Sequence, residues 1–283
     1  MEAAKQTTLI VEGGGFKSAF TTGVLDAFQM TGFRPFNRFL GVSGGSIALS
    51  YFLSEQYRAG LESLLHMGQD TNFTAYSRLF SEQGFMDLDI LSAVARERVV
   101  FDLLTAMRAN LRYPVRFVAT DELTGQPAYL RPTRGNWLDA LIASSAIPFF
   151  TKGRHTFAGR SYMDGGCSDP LPARYAYDHG ARSVLVLRTW PRDKRFTRSW
   201  ADVAGSYYYR GQPILKGIVD QGHAIYNAAA DFLDNPPEDL TVHQIAPDKL
   251  LATGTYLNSE ESILRDYGLG LDGGLRFVAG VRG

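Results

Sequence analysis

Three glycine-rich turns, each closing a short apolar run, constrain this chain more than any other feature. Thr8-Leu9-Ile10-Val11 leads into Gly13-Gly14-Gly15, Phe39-Leu40-Gly41-Val42 into Ser43-Gly44-Gly45, and Arg160-Ser161-Tyr162-Met163 into Asp164-Gly165-Gly166. Short β-branched and apolar runs that stop at glycine read as buried strands. Helical spacing follows the first two. Ala19, Phe20, Val24, Leu25, Ala27 and Phe28 share a face between Ser18 and Met30, and a second apolar helix spans Ser46 to Leu53. Strand, helix, strand, helix with short turns predicts an α/β fold whose first two strands are parallel. In a parallel sheet the turns after the strands gather at one edge, where sites are built. The three glycine turns are therefore expected close together.

The rest of the chain fits the same class. Residues Ser54 to Asn110 read as mostly helical, with a looser stretch from Gly68 to Phe85, and are expected to lie over that edge as an insertion or lid. Residues 114–120 and 126–130 read as a hairpin around Asp121-Glu122-Leu123-Thr124-Gly125. Trp137 to Ser144 is a short helix stopped by Pro148, and Pro172 to His179 a helix with proline near its first turn. Ser183-Val184-Leu185-Val186-Leu187 is an unbroken apolar strand of the kind found inside parallel sheets. Trp200 to Phe232 reads as helix, Leu240 to Ile245 as strand, and Ser259 to Val278 as a closing helix. The expectation is a three-layer α/β/α fold with a mostly parallel central sheet. It forms one domain over 1–283, with a motif core at 8–190 and a helical and strand region at 191–283.

Composition sets the outer bounds. A chain of 283 residues, 45% hydrophobic, can bury a large core. Its formal net charge of zero gives no basic excess for nucleic acid. Arg188, Arg192, Lys194, Arg195 and Arg198, against Asp193, make a local basic run that reads either as a solvated loop or as a contact for an anionic surface. The single cysteine, Cys167, permits no intramolecular disulfide. Met1 to Thr8 lacks the pattern of a secretory signal, and no run of about 18 apolar residues occurs. The expected location is the cytoplasm, with peripheral membrane contact open through an amphipathic face. Nothing in the sequence sets an oligomeric state.

The turns also carry chemistry. Gly41-x-Ser43-x-Gly45 between strand and helix has the form of a nucleophile elbow. A Cβ at Gly41 or Gly45 would crowd the adjoining strand and helix, and the helix N-terminus favours developing negative charge. The plainer reading is a turn with Ser43 as helix N-cap. Gly13, Gly14 and Gly15 offer backbone amides for an oxyanion, each such donor being worth about 3 kcal/mol in an acyl-transfer transition state, and Lys17 adds charge nearby. A Walker A loop would need glycine at Val11 and Phe16. A dinucleotide fingerprint would need an acid after the second strand. Asp164, held by Gly165 and Gly166, is a candidate base for Ser43; the plainer reading is an Asp-Gly turn.

Taken together, Glu12-Gly13-Gly14-Gly15-Phe16-Lys17, Gly41-Val42-Ser43-Gly44-Gly45 and Asp164-Gly165-Gly166 resemble the patatin-like phospholipase family, in that order. Ala119-Thr120-Asp121, Thr124-Gly125 and Ala143-Ser144-Ser145-Ala146-Ile147-Pro148 add to the likeness. Val11 to Gly15 with Gly23-Val24-Leu25-Asp26 is most similar to the family's bacterial branch. The resemblance covers about residues 8 to 190. It implies cleavage of acyl esters of lipids by a Ser43–Asp164 dyad, without a metal or cofactor, with the amides of Gly14 and Gly15 holding the oxyanion. The family usually has arginine then glycine where Lys17-Ser18 stands, and lysine lacks the bidentate fork. Gly44 and Ser46 also replace the common alanine and glycine.

Two other readings stay open. One is a lipid-binding module on the same fold without turnover. The other is a Ser-Asp-His triad drawing on His179, His223 or His243; His66 and His155 complete the histidines. For an acyl channel the candidates are Tyr207-Tyr208-Tyr209, Ile214, Leu215, Ile218 and Phe149-Phe150, although aromatics at helical spacing also serve as plain core.

Overall fold

A computed structural model describes residues 7–70, 73, 87–148, 150–151, 154–256 and 258–282. Most of the looser Gly68 to Phe85 stretch, and Phe149, lie outside the described residues.

The sheet comprises β1 (Thr7–Val11), β2 (Phe36–Val42), β3 (Val115–Asp121), β4 (Pro127–Leu130), β5 (His155–Phe157), β6 (Arg160–Asp164), β7 (Ser183–Leu187) and β8 (Thr241–Ile245). β1 lies between β2 and β7, both parallel to it, and β3 and β8 extend the parallel set outward. β4, β5 and β6 form the antiparallel part. β5 is absent from the sequence expectation. Its three residues are too short to show an alternation, and it joins β6 through a tight turn with positive φ at Ala158 and Gly159.

The register around β3 matters most. Val118 pairs with Val42 on one side and with Tyr129 on the other. Ala119 pairs with Ala128 and with Asp164. β4 therefore flanks one side of β3, while β2 and then β6 share the other. β2 leaves that lane after Val42, and β6 enters it from the opposite direction. This corrects the expectation that all three glycine turns meet because all three follow parallel strands. β6 is antiparallel, and Asp164 reaches Ser43 by running head-on toward it.

Helices cover both faces. They are α1 (Ser18–Thr31), α2 (Gly44–Leu53), α3 (Ala59–Gln69), α4 (Leu88–Ala93), α5 (Leu103–Arg112), α6 (Trp137–Ser145), α7 (Ala173–Asp178), α8 (Trp200–Tyr208), α9 (Pro213–Asp234) and α10 (Glu260–Arg282). Strand side chains alternate between layers. Leu9, Val11, Leu185 and Leu187 pack with Phe20, Leu25, Leu49 and Trp137 of α1, α2 and α6. Ile10, Leu40, Val184 and Val186 pack with α7 and α9 through Ala173, Tyr226 and Leu233. The architecture is the expected three-layer α/β/α.

The region after β7 is woven into this core. β8 extends the sheet, and α10 lies against α1 so closely that a Cβ at Gly270 would overlap the carbonyl oxygen of Phe20. Tyr267 of α10 donates to the buried Asp26 carboxylate of α1 at 2.9 Å. The largely helical stretch from Trp200 to Phe232 is divided into α8 and α9, because Pro213 suits a first helical turn and not an interior. The basic run is tied to α9: Arg192 and Arg195 bond Asp234, Arg195 also bonds Asp231, and Arg198 bonds Asp220.

Candidate active site

Ser43 sits at the hinge between β2 and α2 with φ 52° and ψ −129°, a conformation that side-chain-bearing residues rarely adopt. Glycines make room for that turn. A Cβ at Gly41 would stand 2.7 Å from Ser46 Cα, and one at Gly45 would overlap the carbonyl oxygens of Val11 and Glu12. A side chain at Gly13 would come within 2.8 Å of Ser43 Cβ. The first glycine turn is thus pressed against the second. Ser144 holds the elbow from the other side, accepting the Ser43 amide at 3.0 Å and donating to the Val118 carbonyl at 2.6 Å.

The Gly13-Gly14-Gly15 loop is braced from below. Glu12 is buried and accepts the Thr189 amide and the Tyr226 hydroxyl, with Arg188 alongside. Burial pushes the Glu12 carboxyl upward, opposed by Arg188 and by these bonds. Thr189 Oγ1 donates to the Gly13 carbonyl at 2.6 Å. Gly14 and Gly15 have φ of 145° and 59°, which only glycine adopts without strain. Among the described residues their amides donate to no acceptor. Lys17, expected to add charge beside this loop, packs on an indole. Its ammonium stands 3.9 Å from the centre of the Trp190 ring, and burial draws its pKa down.

Asp164 ends β6 opposite Ala119. Its amide donates to Ala146 and its carbonyl accepts from Thr120, each at 2.8 Å. Oδ1 accepts the Gly166 amide at 2.7 Å, and a Cβ at Gly165 would overlap the Val118 carbonyl oxygen. Oδ2 makes no hydrogen bond of good geometry. Burial raises the Asp164 pKa to about 6, with the nearby Ser43 hydroxyl and the Gly166 amide pulling the other way. Ser43 and Asp164 are therefore neighbours in a dry place, 5% and 6% exposed, with one carboxylate oxygen uncommitted. Long or imperfect bonds of this kind are common before substrate binds. Burial, and then the nearby Asp164 carboxylate, push the Cys167 thiol up.

A narrow apolar cleft opens beside Ser43. Phe16, Ile47, Leu64, Met67, Phe73 and Leu91 line most of it, with Gly15, Gly44 and Ser145 near the serine. Helices α3 and α4, from the stretch expected to cover the site, provide one wall. Among the described residues, the aromatic and aliphatic candidates named from the sequence do not line it. Tyr207 and Tyr208 are exposed on α8, Ile214, Leu215 and Ile218 are half-buried on α9, and Phe150 stacks on Tyr256 at 4.0 Å. The actual lining was hidden in the sequence because α3 and α4 look like ordinary amphipathic helices. None of the histidines lines the cleft. His179 bonds the Tyr175 carbonyl, His155 meets Asp139, and His243 packs on Phe277.

The sequence profile of the family described as patatin-like phospholipase matches residues 9–177. A second profile, a domain of unknown function designated DUF6363, matches residues 213–282. Uncharacterized protein YjjU of Escherichia coli (strain K12) is 31% identical over 278 residues, spanning 96% of this chain and 77% of that protein. The crystal structure of VipD from Legionella pneumophila overlaps 98% of this chain and 67% of that one, at a TM-score of 0.49 and 11% identity.

Proposed function

This chain belongs to the patatin-like phospholipase family, and from that premise we propose that it is a serine acyl hydrolase in which Ser43 is the nucleophile and Asp164 the base. The observation that carries the reading is the pairing of Ser43, on a strained elbow, with a buried carboxyl that keeps one oxygen free. Ser43 Oγ attacks the ester carbonyl while Asp164 takes its proton. The oxyanion that forms is held by the amides of Gly14 and Gly15, with Gly13 setting the loop against the elbow. Collapse of the intermediate breaks the ester C–O bond, and the alcohol leaves with the proton from Asp164. Water, deprotonated by Asp164, then attacks the acyl-Ser43 carbonyl, and the proton returns to Ser43.

The substrate is an acyl ester of a lipid. The apolar cleft accepts the acyl chain, whose transfer from water is favourable by about 0.8 kcal/mol per buried methylene. Trp200 and Tyr207 on α8 are 89% and 70% exposed, and Val203 and Tyr208 stand out beside them. Amphipathic aromatic side chains settle at membrane interfaces, so α8 is the face we assign to lipid contact. No helix among the described residues is long and apolar enough to cross a membrane. A peripheral enzyme of the cytoplasm, with Cys167 a free thiol, fits these features. The catalytic unit includes the region after residue 190, since β8 and α10 complete the core.

Release of fatty acid from phosphatidylcholine vesicles, and of p-nitrophenol from a short-chain ester, tests the proposal. Turnover by the wild type and none by Ser43→Ala supports it. Vesicle binding without turnover of either ester would instead establish a lipid-binding module.

A further inference from the structure

The run Ser144-Ser145-Ala146 at the end of α6 touches both members of the pair. Ser144 Oγ accepts the Ser43 amide at 3.0 Å, and the Ala146 carbonyl accepts the Asp164 amide at 2.8 Å. Between these two braces sits Ser145. It lines the cleft together with Ser43, Gly15 and Ser18. It is 5% exposed, and its hydroxyl has no hydrogen-bond partner among the described residues. Buried hydroxyls are nearly always bonded, so one with no protein partner, lining the same cleft as Ser43, calls for an explanation. The other unpartnered buried oxygen at this place is Asp164 Oδ2. Ser144 is not equivalent to its neighbour, because its own hydroxyl is already committed to Val118.

We propose that the Ser145 hydroxyl hydrogen-bonds the oxygen that is exchanged at the acyl carbon. That oxygen is the alcohol oxygen leaving in acylation and the water oxygen arriving in deacylation. The assignment rests on the acyl-hydrolase reading above. In acylation the bond from Ser43 Oγ to carbon forms, the ester C–O bond breaks, and Asp164 passes the serine proton to the departing oxygen. In deacylation the water oxygen bonds to carbon, the bond to Ser43 Oγ breaks, and the water proton returns to Ser43 through Asp164. Both oxygens must lie within reach of the same carboxylate, so they use one position. A neutral hydroxyl there donates to a departing alkoxide and accepts from an incoming water, and it adds no second titrating group beside Asp164.

The test compares Ser145→Ala and Ser145→Thr with wild type on two esters of the same fatty acid, one of p-nitrophenol and one of glycerol. Glycerol is the poorer leaving group and needs the donor more. Ser145→Ala is expected to lose about 10-fold in kcat/KM on the glyceryl ester. On the p-nitrophenyl ester it should lose about 3-fold or less in the acylation burst, with KM little changed on either. Ser145→Thr restores the hydroxyl and most of the rate. Labelling of Ser43 by a fluorophosphonate should proceed at the wild-type rate, and the melting temperature of Ser145→Ala should not fall. Equal losses on both esters, or no loss on either, in a protein whose wild type is active would overturn the role of Ser145. A wild type that turns over neither ester and is not labelled would instead remove the acyl-hydrolase reading, and this proposal with it.

Discussion

Ser43 and Asp164 meet end to end along one side of β3, because Val42 pairs with Val118 and Asp164 with the next residue, Ala119. Two chain segments running in opposite directions therefore deliver a hydroxyl and a carboxyl to one point. Hydrogen bonds that each involve a backbone amide fix both: the Ser43 amide donates to the Ser144 hydroxyl, the Asp164 amide to the Ala146 carbonyl, and the Gly166 amide to the Asp164 carboxylate. Held this way, Asp164 in its proposed role as base needs no third side chain to orient it. Asp164→Ala is expected to lower kcat by about 10⁴-fold, as is typical when a member of a nucleophile–base unit is removed. His179→Ala, His223→Ala and His243→Ala should retain near-normal rates. Steady-state kinetics on a soluble ester checks all four, and a histidine variant as damaged as Asp164→Ala would point to a triad.

The pH dependence follows from burial of the base. As the proposed base, Asp164 must be ionised to accept the serine proton, and burial raises its pKa to about 6. kcat/KM should therefore rise with pH through about 6 and then level off. A rate profile already flat from pH 4.5 upward would contradict Asp164 as the base.

Stability should move in the opposite direction. A carboxyl whose folded pKa lies above its unfolded value binds more protons in the fold than in the unfolded chain. Stability is thus fully present below about pH 4 and falls as pH rises through about 6. Asp26 and Asp169, also raised to about 6 by burial, act in the same sense. Asp164→Asn removes one of these costs. At pH 7.5 it should be inactive yet more stable than wild type, by on the order of 2 kcal/mol. Denaturant titrations at pH 5 and pH 7.5 read this directly; a destabilised Asp164→Asn at pH 7.5 would contradict it.

Gly15 is expected to tolerate no side chain. Its φ is positive, and a Cβ would overlap the Thr255 carbonyl oxygen, in a loop that Asp266 holds through the amides of Ala252 and Thr253. Gly15→Ala should cost about 1–3 kcal/mol of stability. Activity should fall further than stability alone explains, because the proposed oxyanion amide moves with the loop. Wild-type turnover in Gly15→Ala would dismiss this loop as the oxyanion site.

Acyl selectivity should respond to the cleft. Leu91→Phe adds bulk to the lining that Leu91 shares with Ile47 and Met67, and it should shift the preferred p-nitrophenyl ester toward shorter chains. An unchanged chain-length profile for Leu91→Phe and for Met67→Phe would place the acyl chain elsewhere.

Much of this was legible in the sequence, for identifiable reasons. Apolar strands stopped by glycine, and helices with clear spacing, announced β1, α1, β2 and α2, and the elbow glycines 41 and 45 are required by close backbone approaches. The direction of β6 was not legible. A strand's apolar pattern is the same whichever way it runs, and β5 was too short to reveal the hairpin that reverses it. The cleft was not legible either, since Leu64, Met67 and Leu91 carry no signature apart from an ordinary core. Ser145 stood in a recognised motif, but only its lack of a partner in three dimensions marks it out. Lys17 was expected to add charge beside the triple glycine, and its packing over Trp190, an indole distant in sequence, was not legible.

The most direct test of the Ser43–Asp164 pair is fluorophosphonate labelling of wild type, Ser43→Ala and Asp164→Ala, with the modified peptide identified by mass mapping. Labelling confined to Ser43 and much slower in Asp164→Ala is the predicted result. A folded wild type that takes up no label, or labelling that proceeds unchanged in Asp164→Ala, would contradict it.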